Sequence, residues 1–184
     1  MNWWLIGIIV VVLLLVIYVI GVYNSLVSLR NKVRDQFSQI DVELKRRFDL
    51  VPNLVETVKG YAKHEKETLD SVIKARNSYV SSNNMNEQLK ADGELTQAIS
   101  KLFALTESYP DLKANTNFNN LQSELSEIEQ KIVYARQFYN DSVLKLNDKV
   151  EMFPSNIIAK MFNFKQEQFF EASKEEKENV KVKF

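Results

Sequence analysis

The chain opens on an unbroken apolar stretch, "WWLIGIIVVVLLLVIYVIGVY" (residues 3–23), and no charged side chain occurs between Met1 and Leu29. About twenty such residues, rising about 1.5 Å each, make about 30 Å of helix, the thickness of a bilayer's hydrocarbon core. Trp3 and Trp4 at one end, and Tyr18 and Tyr23 near the other, suit the two interfacial aromatic belts. A cleaved signal peptide would carry a basic n-region, a shorter apolar stretch and a small-x-small cleavage site, and none of the three is present. The pattern predicts a retained single-pass anchor.

Past the span, apolar residues recur at Leu26, Leu29, Val33, Phe37, Ile40, Leu44, Phe48 and Val51, seven steps over 25 residues. This is the helical period, so the span is expected to run into the next helix without a break. The stripe resumes with Val55, Val58, Ala62, Leu69, Val72 and Tyr79, and "SSNNMN" (residues 81–86) interrupts it with turn-forming residues. A third helix fits residues 87–108, carried by Leu89, Leu95, Ala98, Ile99, Leu102 and Phe103. "PDLKANTN" then reads as loop, with Thr116 or Asn117 available as a cap. The fourth helix keeps 3-4 spacing from Phe118 through Leu125, Ile128, Ile132 and Tyr139 to Leu146. In "FPSNIIAKMFNF" Pro154 breaks the pattern, Ser155 or Asn156 offers an N-cap, and one short apolar helix follows.

Two residues punctuate the second stripe. Pro52 reads as the first-turn proline of the second helix, where its missing N–H is not needed, with Asp49 to Val51 reversing the chain. A kinked continuous helix is the alternative, because the stripe keeps phase across it. Gly60 costs a helix about 1 kcal/mol relative to Ala, and is read as permitting close approach of a neighbouring helix.

The fold class expected is all-α: an N-terminal transmembrane helix continuing into an antiparallel bundle of four long helices plus a short C-terminal helix. Short connections favour antiparallel neighbours; an extended coiled-coil rod is the runner-up. The domains are an anchor over residues 1–23, a cytoplasmic bundle over 24–170 and a charged tail over 171–184, where eight of 14 residues are charged.

Charge changes the picture at the membrane. Arg30, Lys32, Arg34, Lys45, Arg46 and Arg47 all follow the span, so the positive-inside rule places the N-terminus outside and the rest in the cytoplasm, beneath the inner membrane. Lys45 lies 22 residues past Tyr23, about 33 Å along a straight helix and far beyond a Debye length of about 8–10 Å. The cluster of Lys45, Arg46 and Arg47 is therefore assigned to pairing within the bundle or to a partner's acidic surface. Overall, 24 basic and 24 acidic residues cancel, so nothing asks for nucleic acid.

Several segments then resemble one family, in order and at compatible spacing: "VYNSLVSLRNKV", "SQIDVELKRRFDLVPNLVETVKGYAKHEKETL", "KARNSY", "VYARQFYNDSV", "FPSNIIAKMF" and "FFEAS". They are similar to the signature segments of the LemA family of bacterial membrane proteins, over residues 1 to roughly 173. The resemblance implies one N-terminal span and a cytoplasmic helical bundle, and it brings no assigned reaction. One departure is Asn163, which stands where glycine is expected; Asn also tolerates the left-handed helix-terminating conformation.

Candidate chemistry is sparse. The chain has no cysteine and one histidine, which excludes thiolate chemistry and leaves imidazole-based metal sites poor. His64 with Glu65 and Glu67 lacks the second histidine of a zinc-protease helix, since position 68 is Thr. No catalytic, metal or cofactor residue is assigned. On the helix seams, Arg76 and Arg136 are expected to hold register through interhelical ion pairs with acids such as Glu65, Asp41 or Glu43, because an unpaired charge in a low-dielectric interior is costly. The function expected is a non-enzymatic adaptor or scaffold, anchored in the lipid bilayer through residues 3–23, binding protein partners and possibly itself. The surplus of apolar residues at Phe162, Phe164, Phe169 and Phe170 motivates that reading. The alternative is a membrane-surface remodelling or lipid-binding bundle.

Overall fold

The computed structural model describes residues 3–82 and 85–170, with Met85, Asn86 and Leu89 described by their main chain only. The expected charged tail, residues 171–184, lies outside the described residues, as does the Asn83–Asn84 part of the expected turn. Among the described residues all regular structure is helical: α1 (Trp3–Tyr61), α2 (Lys66–Val80), α3 (Met85–Thr106), α4 (Pro110–Lys113), α5 (Thr116–Glu151) and α6 (Ser155–Met161).

The first correction concerns Pro52. The chain does not reverse there; α1 runs through it as one helix of 59 residues. Val51, Leu54, Val55 and Val58 are all buried on a continuous seam while Pro52 faces outward, so tertiary packing holds the helix across the proline. The reversal comes at residues 62–65, where Glu65 N–H donates to the Ala62 carbonyl at 3.2 Å. Gly60 is a second correction: a Cβ there would meet nothing within 4 Å, and its φ is not positive. It admits no neighbouring helix and lies in the last turn of α1, where its weak helix propensity eases termination.

The second long helix is therefore shorter than expected and begins at Lys66, which puts Glu65 and His64 in the turn and off any helix face. "PDLK" forms the single turn α4, with Pro110 at its first position and Leu112 fully buried. The N-cap of α5 is Asn115, one residue before the expected Thr116: its Oδ1 accepts from Phe118 N–H at 2.9 Å. Pro154 does end the fourth helical pattern, but it is itself the N-cap residue of α6. Ser155 lies inside α6 and its hydroxyl donates to the Met152 carbonyl.

The described chain forms two compact units, one of residues 3–40 with 134–170, the other of residues 41–133. In the second unit, Tyr79 at the end of α2 meets Asp41 and Phe48, so α2 runs antiparallel to α1. Asp92 and Thr96 of α3 reach Arg47, and Tyr109 reaches Glu65, so α3 runs back alongside α1. Asn115 reaches Tyr61 and Glu129 reaches Arg47, which sets α5 antiparallel again. Leu54, Val58, Val72, Leu95, Leu102, Leu112, Phe118 and Ile132 fill the core between them.

In the first unit Phe37 meets Tyr139, and Tyr23 meets Phe162, so α5 descends antiparallel to α1 and the C-terminal end of α6 lies against Tyr23. α6 ends in a Schellman motif. Asn163 adopts φ 56°, its N–H donates to the Lys160 carbonyl at 3.2 Å, and Phe164 N–H donates to the Ala159 carbonyl at 2.9 Å. The asparagine therefore forms the left-handed turn that the glycine would have supplied.

Candidate functional site

The most polar part of the interior is centred on Arg47. Arg47 sits on α1 between Leu44 and Val51, at a level where α3 and α5 also converge, and it is 2% exposed. Its Nη1 donates to Asp92 Oδ1 at 2.8 Å and lies 3.1 Å from Glu129 Oε2, while Nη2 donates to Thr96 Oγ1 at 3.0 Å. Three helices are thus tied by one planar, always-charged fork. The sequence alone places Arg47 in a basic cluster and leaves its pairing open; the signal it offers is a position one residue before the seam residue Phe48.

Of the residues singled out as ion-pair candidates, Arg76, Glu65 and Asp41 meet uncharged partners. Arg76 Nε donates to the main-chain carbonyl of Phe48 at 3.2 Å, and among the described residues it forms no ion pair. The guanidinium of Arg136 stands 5.9 Å from the centre of the Phe170 ring. Glu65 accepts from the Tyr109 hydroxyl at 2.9 Å, and Asp41 from the Tyr79 hydroxyl at 3.1 Å. Burial, followed by the charge of Asp41, pushes the Tyr79 phenol well above its ordinary range. The hydrogen bond to Glu65 raises that of the half-buried Tyr109. None of these sets pairs a nucleophile with a base.

Residues 164–170 are extended against α5. Asn147 accepts Glu167 N–H and donates to its carbonyl, both at 2.9 Å; Asn140 does the same for Phe170 at 2.8 and 2.9 Å. The two asparagines are seven residues apart, about 10.5 Å along a helix, and the residues they hold are three apart, about 10 Å of extended chain. The spacings match, so each carboxamide closes a two-bond ring with the main chain. The expected surplus of exposed phenylalanines is thereby halved: Phe164 and Phe170 are buried, Phe162 and Phe169 are not. Other large apolar side chains remain exposed on α5, among them Tyr134, Phe138 and Leu144.

A single helix, α1, is long and apolar enough to cross a membrane among the described residues. The sequence model of the LemA family matches residues 36–184, most of the chain. The chain belongs to the LemA family. Protein LemA of Metamycoplasma hominis is 26% identical, covering 88% of this chain and 74% of the relative. The magnetosome protein MamQ 2 of Paramagnetospirillum magneticum is 23% identical over 81% of this chain, and MamQ of Magnetospirillum gryphiswaldense 22% over 80%. The chain spans 64% of the length of both MamQ relatives. Membership in the LemA family and the apolar α1 together make this a membrane-associated protein with one N-terminal candidate span. Neither LemA nor MamQ is the name of an enzyme.

Proposed function

We propose that this LemA-family protein is a non-enzymatic adaptor or scaffold, held in the inner membrane by α1 with its N-terminus outside and its helices in the cytoplasm. The observation that carries this reading is the face of α5 bearing Tyr134 and Phe138. They stand one helical turn apart and are 59% and 58% exposed. Exposed aromatic side chains on a rigid helix are the usual anchors of protein contacts. The buried polar groups support it from the other side: Arg47, Asp92 and Thr96 are engaged with one another, leaving the surface to make contacts.

The test is crosslinking in intact membranes followed by native mass spectrometry of the mildly extracted protein. Discrete crosslinked partners or self-assembled species are expected, and Tyr134→Ser with Phe138→Ser should remove them. A monomer with no crosslinked species would overturn the proposal. Orientation is read separately from single cysteines placed at Asn2 and Glu124 in this cysteine-free chain: an impermeant reagent should label only position 2 in intact cells.

A further inference from the structure

Protein cover of α1 begins abruptly. Residues 3–21 have no buried member, whereas Val22 is 6% exposed and Leu26 is fully buried. This boundary coincides with the end of the apolar run, about 30 Å from Trp3, where the chain leaves the hydrocarbon. The element packed at the boundary is α6. Phe162, which ends it, has its ring 4.7 Å from that of Tyr23, and Phe164 has its ring 5.9 Å from the same tyrosine. Two turns further along α1, the Arg30 guanidinium stands 5.0 Å over Phe164 and secures the segment from the other side.

α6 has two faces. Ser155, Ile158 and Ala159 are buried against the unit. Ile157 and Met161 stand one turn apart on α6 and are 58% and 63% exposed, and Met152 and Phe153, which lead into the helix, are 61% and 79% exposed. In water such a cluster is unfavourable; in the headgroup and upper acyl region it is what an interfacial helix buries.

We propose that the elbow from Met152 to Pro154 and the outer face of α6 form a lipid-contacting foot, which lies in the bilayer interface beside the point where α1 emerges. The occupant is lipid because the face is continuous with the span: the tyrosine that ends the apolar run is the one that packs on the end of α6. Lys160 lies on the exposed side of α6 and Lys165 follows it, whereas Glu151 and Glu167 flank the foot, so the contact is driven by apolar burial and suits zwitterionic headgroups. The foot adds a second attachment to the single helix and limits the rotation of the first unit about the axis of the span. It rests on α1 spanning the bilayer and is independent of the scaffold reading.

The test uses the full chain in vesicles of zwitterionic phosphatidylcholine, with nitroxide labels at single cysteines replacing Ile157, Phe153, Val12 or Glu124. The probes are oxygen, which partitions into lipid, and a water-soluble nickel chelate. Val12 reports the span and Glu124 the water-exposed reference. The expected result is a several-fold loss of nickel-chelate collisions at positions 153 and 157 relative to 124, with oxygen collisions raised. Labels at 153 and 157 as accessible to nickel as at 124, with Val12 protected, would overturn the foot and leave the span standing. Protection from both probes, with dipolar broadening between labels, would assign the face to a second copy of the chain and equally overturn it. Unchanged helical circular dichroism confirms that each labelled chain is folded.

Discussion

Arg76 Nε donates to the carbonyl oxygen of Phe48 at 3.2 Å, and this is the acceptor that Pro52 leaves without its helical N–H. In an α-helix the carbonyl of residue 48 is bonded by the N–H of residue 52, and proline has none. The arginine of a neighbouring helix supplies the missing donor, which explains how α1 continues through a proline in its interior and why a cation sits on the seam of α2. A double-mutant cycle tests this in thermal unfolding of the detergent-solubilised protein. Arg76→Met should cost about 1.5–3 kcal/mol, the range for a hydrogen bond to a charged group. In a Pro52→Ala background, where the N–H returns, the cost should fall by at least half. Additive effects would dissociate the two residues.

The Arg47 centre should be sensitive to removal of one partner and tolerant of removing both. Asp92→Ala leaves a buried guanidinium leaning on Glu129, which is 39% exposed, and on Thr96. The expected destabilisation is about 3–5 kcal/mol. Arg47→Met with Asp92→Leu should regain most of it, since apolar residues of similar volume fill the same space. A double variant as unstable as the single would show that the charge pairing itself holds the three helices together.

The asparagine clamp makes a local prediction. Asn140→Ala and Asn147→Ala each delete two hydrogen bonds to the main chain, worth about 0.5–1.5 kcal/mol apiece. Amide hydrogen exchange at Phe170 should accelerate in the first variant and at Glu167 in the second. Exchange in the core at Leu95 and Leu102 should stay as slow as before. Uniform acceleration would mean that the clamp is not a local fastening.

Tyr79 sets an alkaline limit. Its phenol titrates near pH 10 in the unfolded chain and is held protonated to higher pH in the fold by burial and by Asp41. Above about pH 10 the unfolded state binds fewer protons than the folded one, so stability falls as pH rises. Its contribution is complete below that pH and is lost on the way up to the folded value. Tyr79→Phe should flatten the decline in melting temperature between about pH 10 and 11 relative to the parent; an unchanged slope would remove Tyr79 from the account.

Much of the fold was legible locally. The apolar run of residues 3–23, the 3-4 spacing of Phe118 to Leu146 and the break at Pro154 each follow from side chains within a turn or two of one another, and periodicity records such neighbours. The left-handed turn at Asn163 was foreshadowed by the glycine expected there. Two things were not legible. Pro52 and Gly60 signalled a reversal and a close helix contact, yet α1 passes the first, and the second faces open space.

The charged residues show the same division. That Arg76 and Arg136 lay near seams was readable from spacing, but not that Arg76 takes a carbonyl orphaned by a proline. A buried ion pair belongs to Arg47, whose carboxylates come from 45 and 82 residues further along the chain. By itself the sequence determined the helical class and the apolar candidate span, because both depend on the spacing of near neighbours. Where the chain turns and which charges are buried together were decided only by the tertiary structure. There the free energy of a proline or a charge depends on donors and acceptors brought from distant helices.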